Sequence, residues 1–160
     1  MKYRQTGFTL IEMIVVLVLI AIVSAVAAVR FLGIQADARS QKVRDMAGQM
    51  RTAVDMVYAK SAILGVLGVE SSCNYIQKVE VESYYVCHGY PIAYIDAVRR
   101  LLNIDRNGGL HINNKEIDGH RVAAISFYAD KYTFQTSGDF CQILYQPEKQ
   151  PQIVSLTDGC

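Results

Sequence analysis

The composition of this 160-residue chain limits what it can be. Its 16 basic and 15 acidic residues leave a formal net charge of +1, so the whole chain has no strong electrostatic attraction to nucleic acid or to an anionic membrane surface. Beyond the apolar segment near its start, about 130 residues remain, which is enough for one small domain with a modest core and too few for two.

The first segment combines a basic leader, a single carboxylate and a long apolar run. Lys2 and Arg4 come first, the run Gly7-Phe8-Thr9-Leu10-Ile11-Glu12 follows, and residues 13–29 contain no charged side chain. A carboxylate at the bilayer centre costs roughly 2.5 to 3.5 kcal/mol on insertion scales, so Glu12 needs a partner. The basic leader predicts a cytoplasmic amino end and an extracytoplasmic domain.

A secretory signal peptide and a plain single-pass anchor are alternative interpretations of the same segment. In the signal peptide, Lys2 and Arg4 form the basic region, residues 13–23 the apolar core, and Ala25-Val26-Ala27 the cleavage site. The composition allows this interpretation. A signal sequence, however, has no use for Glu12 at the head of its apolar core.

The run Gly7-Phe8-Thr9-Leu10-Ile11-Glu12 resembles the prepilin signature of type IV pilins and related pseudopilins. The resemblance implies cleavage between Gly7 and Phe8 by a prepilin peptidase, N-methylation of Phe8, and retention of the apolar helix. It also implies that Glu12 serves assembly and methylation, because its carboxylate can pair with the new ammonium group of Phe8 on a neighbouring subunit.

Looser matches later in the chain are similar to mannose-sensitive haemagglutinin (MSHA) type pilins. They are Arg30-Phe31-Leu32, Gln35-Ala36-Asp37-Ala38-Arg39, the Gly89-Tyr90-Pro91 step and a cysteine pair ending at Cys160. The family usually has a Gly and a Pro within the apolar helix, where this chain has Ala21 and Val29. Since Pro costs about 3 kcal/mol in a helix interior and Gly about 1, this helix should be straighter and harder to melt locally.

After the apolar run, the hydrophobic period is that of an amphipathic helix. One face carries Val43, Met46, Met50, Ala53, Val54 and Val57, whereas Arg44, Arg51 and Asp55 lie on other faces. We therefore expect one helix from Phe8 to about Ser61, ended by Gly65 and Gly68. The predicted divisions are a leader peptide at 1–7, a transmembrane and assembly helix at 8–30, and a globular head at 31–160 that begins with the amphipathic half, 31–61.

The rest of the head divides into a variable loop region, 62–120, and a sheet region, 121–160. The first contains a short helix over 92–102 and turns at Gly89-Tyr90-Pro91 and Asn107-Gly108-Gly109. In the second, β-branched and aromatic residues over 122–128, alternation at Tyr132 and Phe134, and apolar residues near 143 and 154 predict strands. The expected fold class is α+β, a long helix packed on a small antiparallel sheet, like a type IV pilin.

Four cysteines are consistent with disulfides, because an extracytoplasmic domain lies in an oxidising space. Three connectivities are allowed. We favour Cys73 with Cys87 and Cys141 with Cys160, because both loops are short and the second pair resembles the carboxy-terminal disulfide of pilins. Each closure is worth roughly 3 kcal/mol in the chain-entropy model. A metal site using Cys87 and His88 is disfavoured because Cys-x2-Cys spacing is absent.

The remaining candidates give little support to catalysis. The three histidines, His88, His111 and His120, are scattered, and the chain has neither a nucleophile-elbow serine nor a Gly-rich phosphate loop, so we expect no enzyme, metal or cofactor. The run 105–109 resembles a calcium loop only faintly and is better interpreted as a turn. Tyrosines between Tyr75 and Tyr94 form either a sugar-binding or subunit-contact face, or ordinary half-buried aromatics.

The resemblance thus implies a structural subunit that polymerises through its amino-terminal helix into a pilus for adhesion, surface attachment or motility. Its expected partners are other copies of itself, the prepilin peptidase and methyltransferase, the inner membrane with its pilus assembly machinery, and a host or surface glycan. The protein would lie in the inner membrane before assembly and on the cell surface afterwards. The alternatives are a type II secretion pseudopilin and a minor pilin that binds DNA during uptake, the latter disfavoured by the near-neutral charge.

Overall fold

A computed structural model describes residues 9–68, 79–81 and 83–160 of the chain, apart from the side chains of residues 32, 79 and 80. The chain divides into two compact units, Met1–Ala38 and Arg39–Cys160. The elements are α1 (Leu10–Ile63), β1 (Val79–Val81), β2 (Tyr84–Cys87), β3 (Tyr90–Pro91), α2 (Ile95–Leu102), β4 (His111–Ile117), β5 (His120–Ser126), β6 (Gln142–Tyr145) and β7 (Ile153–Leu156). The predicted α+β class, with one long helix and an antiparallel sheet, is confirmed.

The second half of α1 supplies the helical part of the head's core. Val43, Met46, Met50, Val54 and Val57 are all buried, at the spacing that the sequence predicted for one helix face. Ala53 is half-buried, and the charged side chains of residues 44, 51 and 55 are exposed, as expected.

A glycine ends α1 two residues beyond Ile63. Gly65 has a φ of 69°, the left-handed conformation that a glycine adopts without a Cβ clash. Its N–H donates to the carbonyl of Ala62 at 3.1 Å, and the N–H of Val66 donates to that of Ser61 at 3.0 Å. This pair of bonds is the Schellman motif, which satisfies the last carbonyls of a helix. The predicted stop at Gly65 is therefore confirmed.

The main sheet has the order β4-β5-β6-β7, and every neighbouring pair is antiparallel. One face packs on α1 within the unit Arg39–Cys160, through Ala123, Ile125, Ile143, Tyr145 and Ile153. The other face, around Val122, Ala124 and Leu144, is covered by Tyr132 and Phe134. Since β5 and β6 are covered on both sides, almost all of their residues are buried.

Three details differ from the sequence prediction. Strand β4 lies within the region predicted as loop. It was not predicted as a strand because its sequence, HINNKEI, is mostly polar and buries only Ile112. Tyr132 and Phe134, predicted as strand, lie in an irregular segment and use their rings to cover the sheet. A second antiparallel sheet, β1-β2-β3, was not predicted, because its strands are two to four residues long.

Candidate functional site

The first half of α1 presents an apolar surface that no described part of the protein covers. Its large hydrophobic side chains are exposed, from 48% at Val16 to 78% at Leu10. Among the described residues, α1 is the one helix long and apolar enough to cross a membrane. At 1.5 Å per residue, residues 10–29 span about 30 Å, the thickness of a bilayer's hydrocarbon core. This surface therefore needs to contact lipid or other apolar helices.

Thr9 determines where this helix begins. Its Oγ1 accepts a hydrogen bond from the N–H of Glu12 at 3.3 Å, and its carbonyl accepts one from the N–H of Met13 at 3.3 Å. Thr9 is thus an N-cap residue, and Thr-x-x-Glu is the pattern of a capping box. The sequence analysis assigned no role to Thr9, although this spacing was visible in the chain.

Glu12 lies in the first turn of α1, where a carboxylate interacts favourably with the positive end of the helix dipole. Its side chain is exposed, and no cationic side chain among the described residues forms an ion pair with it. The predicted cleavage residues Gly7 and Phe8 lie outside the described residues. Of the three site residues predicted at this end of the chain, the structure therefore describes Glu12.

One of the two predicted cysteine pairs is present. Cys141 is bonded to Cys160, with their Cα atoms 4.6 Å apart. Cys141 immediately precedes β6 and is 1% exposed, so the bond ties the residues after β7 to the buried sheet. Cys87 is buried in β2, but Cys73 lies outside the described residues, so the Cys73–Cys87 pair stays a prediction.

Close approach explains the glycine next to this disulfide. The N–H of Gly159 donates to the carbonyl of Phe140 at 3.3 Å. A Cβ on residue 159 would collide with the backbone of Asp139, which cannot move independently of the strand that follows it. Glycine at position 159 therefore lets the chain end of the disulfide loop lie against residues 139 and 140.

The other sequence candidates form ordinary structure. The Oδ1 of Asp105 accepts a hydrogen bond from the N–H of Asn107 at 3.3 Å, and its carbonyl accepts one from the N–H of Gly108 at 3.1 Å. Residues 105–108 therefore form a turn. Among the described residues, no three His, Cys, Asp or Glu side chains come together as metal ligands. Tyr90 stacks on Tyr58 with the ring centroids 4.5 Å apart, an intramolecular contact of a half-buried aromatic.

Comparison with known sequences separates the interpretations of the amino-terminal segment. Residues 2–28 match the family described as "Prokaryotic N-terminal methylation motif". The chain carries this methylation motif. The matched range includes Gly7, Phe8 and Glu12, the residues singled out by the resemblance.

A second comparison extends beyond the methylation motif. The chain is 34% identical over 87 residues to the "Type IV major fimbrial protein FimA" of Dichelobacter nodosus, an alignment that covers 46% of this chain and 54% of that protein. The chain thus spans about half the length of the curated relative that it matches. Over the aligned residues, the chain is therefore homologous to a type IV fimbrial protein. No solved structure matches the chain.

Proposed function

We propose that this chain is a type IV pilin subunit, made as a precursor and assembled through α1 into an extracellular filament. The observation that carries the proposal is Glu12, a carboxylate at the head of an exposed apolar helix within the matched methylation motif. A charge in this position is costly in lipid and needs an opposite charge brought by another group.

Processing of the precursor supplies that group. Cleavage between Gly7 and Phe8 by a prepilin peptidase creates an amino group on Phe8 that is protonated at neutral pH. N-methylation of Phe8 adds an apolar group and leaves the positive charge. The ammonium of one subunit then pairs with Glu12 of its neighbour, so that neither charge remains alone in the filament interior.

Assembly exchanges one apolar environment for another. In the inner membrane the apolar side chains of residues 10–29 contact lipid, and in the filament they contact the helices of other copies. A head-to-tail contact that does not close into a ring generates a fibre. The partners are therefore other copies of the chain, the prepilin peptidase and methyltransferase, and the assembly machinery of the inner membrane.

The location follows the same sequence of events. The basic leader places the amino end in the cytoplasm and the head outside the inner membrane, where the Cys141–Cys160 bond is stable. After assembly the head lies on the cell surface. We further propose an MSHA-like filament for adhesion, surface attachment or motility, with a host or surface glycan as the target of its heads.

The experiment that tests this function is intact-mass and amino-terminal analysis under non-reducing conditions, on native membranes and on material sheared from the cell surface. We expect a chain that begins at N-methylated Phe8, contains no free thiol and occurs in the sheared fraction. A Gly7→Asp precursor, which presents a charged side chain to the peptidase, should remain uncut and stay in the membrane.

Other outcomes would contradict parts of the proposal. A chain that begins at Ala28 would mean a cleaved signal peptide, and an uncut wild-type chain would mean a plain anchor. A correctly processed chain that is absent from the sheared fraction, in cells whose exoprotein secretion fails on its deletion, would instead identify a pseudopilin.

A further inference from the structure

A cleft of about 450 Å³ lies where the first turn of α2 meets both sheets of the head. Asp96 and Arg100 line it from α2, Tyr85 from β2, Asn114 from β4 and Arg121 from β5. Its volume falls within the range of pockets that hold small molecules. The sequence analysis considered Tyr85 only as one of a group of tyrosines and assigned no role to the other four residues.

The sheet residues of the cleft lie on the face that packs against α2. Asn114 pairs with Ala123 across β4 and β5, and Arg121 precedes Ala123 by two residues, so the three side chains share one face. Ala123 belongs to the same core as Val98 and Leu102 of α2. The sheet face and the helix therefore form the two walls of one cleft.

Internal contacts hold the two arginines of the cleft in place. Nη1 of Arg100 donates to the carbonyl of Ser83 at 2.8 Å. The guanidinium of Arg121 lies 4.3 Å from the centroid of the Tyr94 ring, and its Nη2 donates to Oε2 of Glu116 at 3.2 Å. A guanidinium has five N–H groups, so each arginine keeps donors for a ligand. Side chains that are already positioned lose less conformational entropy on binding.

Asp96 supplies the opposite kind of group, a charged acceptor. Its Oδ1 lies 3.9 Å from Nη2 of Arg106, and the two side chains are 72% and 78% exposed, so their ion pair is weak. The carboxylate of Asp96 is therefore available to a ligand. The cleft thus presents charged donors and a charged acceptor together.

This combination selects the chemistry of the ligand. Asp96 repels a simple anion, and the two arginines repel a simple cation. An apolar molecule would remove three charged groups from water without giving them partners. A hydroxyl group both donates and accepts, so a ring with several hydroxyls can bond to the carboxylate and to the guanidinium groups at once. The apolar surface on which the carbon side of such a ring can pack comes from Tyr85, Ile92, Tyr94 and Ile95.

We propose that this cleft binds a neutral hexose unit of a glycan. The inference rests on the proposed function, because it assigns a site and a ligand class to the glycan target of the head. Binding of a hexose by the full chain requires neither cleavage of the precursor nor assembly. A failure to bind would therefore leave the filament proposal standing, and the amino-terminal analysis tests that proposal separately.

The test is saturation-transfer difference NMR on the full chain in a polyoxyethylene detergent, which carries no sugar of its own, with empty micelles as the blank. The probes are D-glucose, D-galactose and D-mannose, together with D-sorbitol, an open-chain polyol that has no ring to pack on the apolar wall. We expect saturable binding of at least one hexose with a millimolar Kd, and weaker binding of sorbitol. Two results would overturn the proposal: no hexose binds at millimolar concentration, or sorbitol binds as tightly as the hexoses.

Variants locate the site. Asp96→Asn and Arg100→Gln alter exposed side chains, so the fold should persist. Each should weaken hexose binding about tenfold, because each removes a hydrogen bond between the ligand and a charged group. Asp55→Asn and Arg44→Gln make the same changes at exposed positions of α1 and, as matched controls, should bind like the wild type. If the cleft variants bind as tightly as these controls, the hexose does not occupy the cleft and the site is wrong.

Discussion

At the scale of single residues, Glu12 carries the strongest functional prediction. Glu12→Gln keeps the shape of the side chain and removes its charge. Insertion into the membrane should persist or improve, since a charge in lipid is costly. Incorporation into filaments should fall by about a hundredfold or more, because the ammonium of Phe8 would be buried unpaired, at a cost of about 3 to 5 kcal/mol.

Comparison of membrane and sheared fractions measures this effect. Asp55→Asn makes the same change of charge at an exposed position further along α1 and should assemble normally. If Glu12→Gln enters filaments as efficiently as Asp55→Asn, pairing between Glu12 and Phe8 is not what drives assembly.

Tyr145 makes the stability of the folded chain depend on pH. Its side chain is fully buried, and its hydroxyl donates to the carbonyl of Pro91 at 2.5 Å. Burial, followed by the proximity of Tyr90 and Glu148, raises the pKa of Tyr145 well above its ordinary value. The unfolded chain ionises this phenol near pH 10 while the folded chain keeps it protonated. Its contribution to stability is thus complete below pH 10 and declines as the pH rises further, by up to about 1.4 kcal/mol per pH unit.

Tyr145→Phe separates this contribution from other effects of alkali. The variant should lose about 1 to 2 kcal/mol at neutral pH, because the carbonyl of Pro91 loses its donor. Above pH 10 its free energy of unfolding should fall less steeply than that of the wild type. Denaturant titrations of both chains between pH 7 and 11 measure the two slopes, and identical slopes would rule out Tyr145 as the source.

Gln142 holds the irregular covering segment against the sheet. It is fully buried, its Oε1 accepts the N–H of Thr133 at 2.8 Å, and its Nε2 donates to the carbonyl of Thr133 at 2.7 Å. Gln142→Leu keeps most of the volume but leaves both backbone groups without partners, so we expect a loss of about 2 to 3 kcal/mol. Gln135→Leu, at an exposed position of the same segment, is the control in chemical denaturation and should change stability little.

At the scale of elements, the sequence predicted helices better than strands. The buried face of α1 follows from a sustained helical period, and its end follows from Gly65, so both are local properties of the chain. Strand β4 has a polar composition and becomes a strand because it pairs with β5 over seven residues, a contact that no local pattern shows. Tyr132 and Phe134 alternate like strand residues but pack as a cover over Leu144.

The Cys141–Cys160 disulfide links the residues after β7 to the start of β6 and makes a measurable contribution to stability. It closes a sequence separation of 19 residues, for which the chain-entropy model gives about 3 kcal/mol. The double variant Cys141→Ala with Cys160→Ala should lose about this much stability and expose the residues after β7 to carboxypeptidase. Reduction of the wild-type chain should reproduce the loss, whereas the double variant should be insensitive to reductant at this site. Equal stability of oxidised wild type and double variant would show that packing alone holds β7.

At the scale of the whole molecule, the two compact units account for what could and could not be predicted about function. The residues to which the resemblance assigns processing and assembly lie in one contiguous motif, so the sequence alone could single them out. The cleft at the start of α2 is lined by Arg100, Asn114 and Arg121 from three separate elements, and their common location exists only after the chain folds. A site that is contiguous in the chain could be proposed from the sequence, whereas one assembled by tertiary contacts could not.

The same division predicts that the head is stable without the assembly helix. All buried apolar residues described lie at Val43 or later, whereas the exposed apolar side chains of α1 concentrate between Leu10 and Ile34. A chain that begins at Arg39 therefore keeps the entire described core. Its free energy of unfolding should lie within about 1 kcal/mol of the full chain's, the difference being the new, uncapped start of the helix.

Denaturation of both chains in the same mild detergent measures that difference, and flotation with lipid vesicles measures membrane association. The truncated chain should unfold in one cooperative transition and remain in the aqueous fraction, because it has lost the apolar surface that requires lipid. A loss of several kcal/mol or of cooperativity would mean that residues before Arg39 contribute to the core. Retention on vesicles would mean that a second membrane-binding surface lies on the head itself.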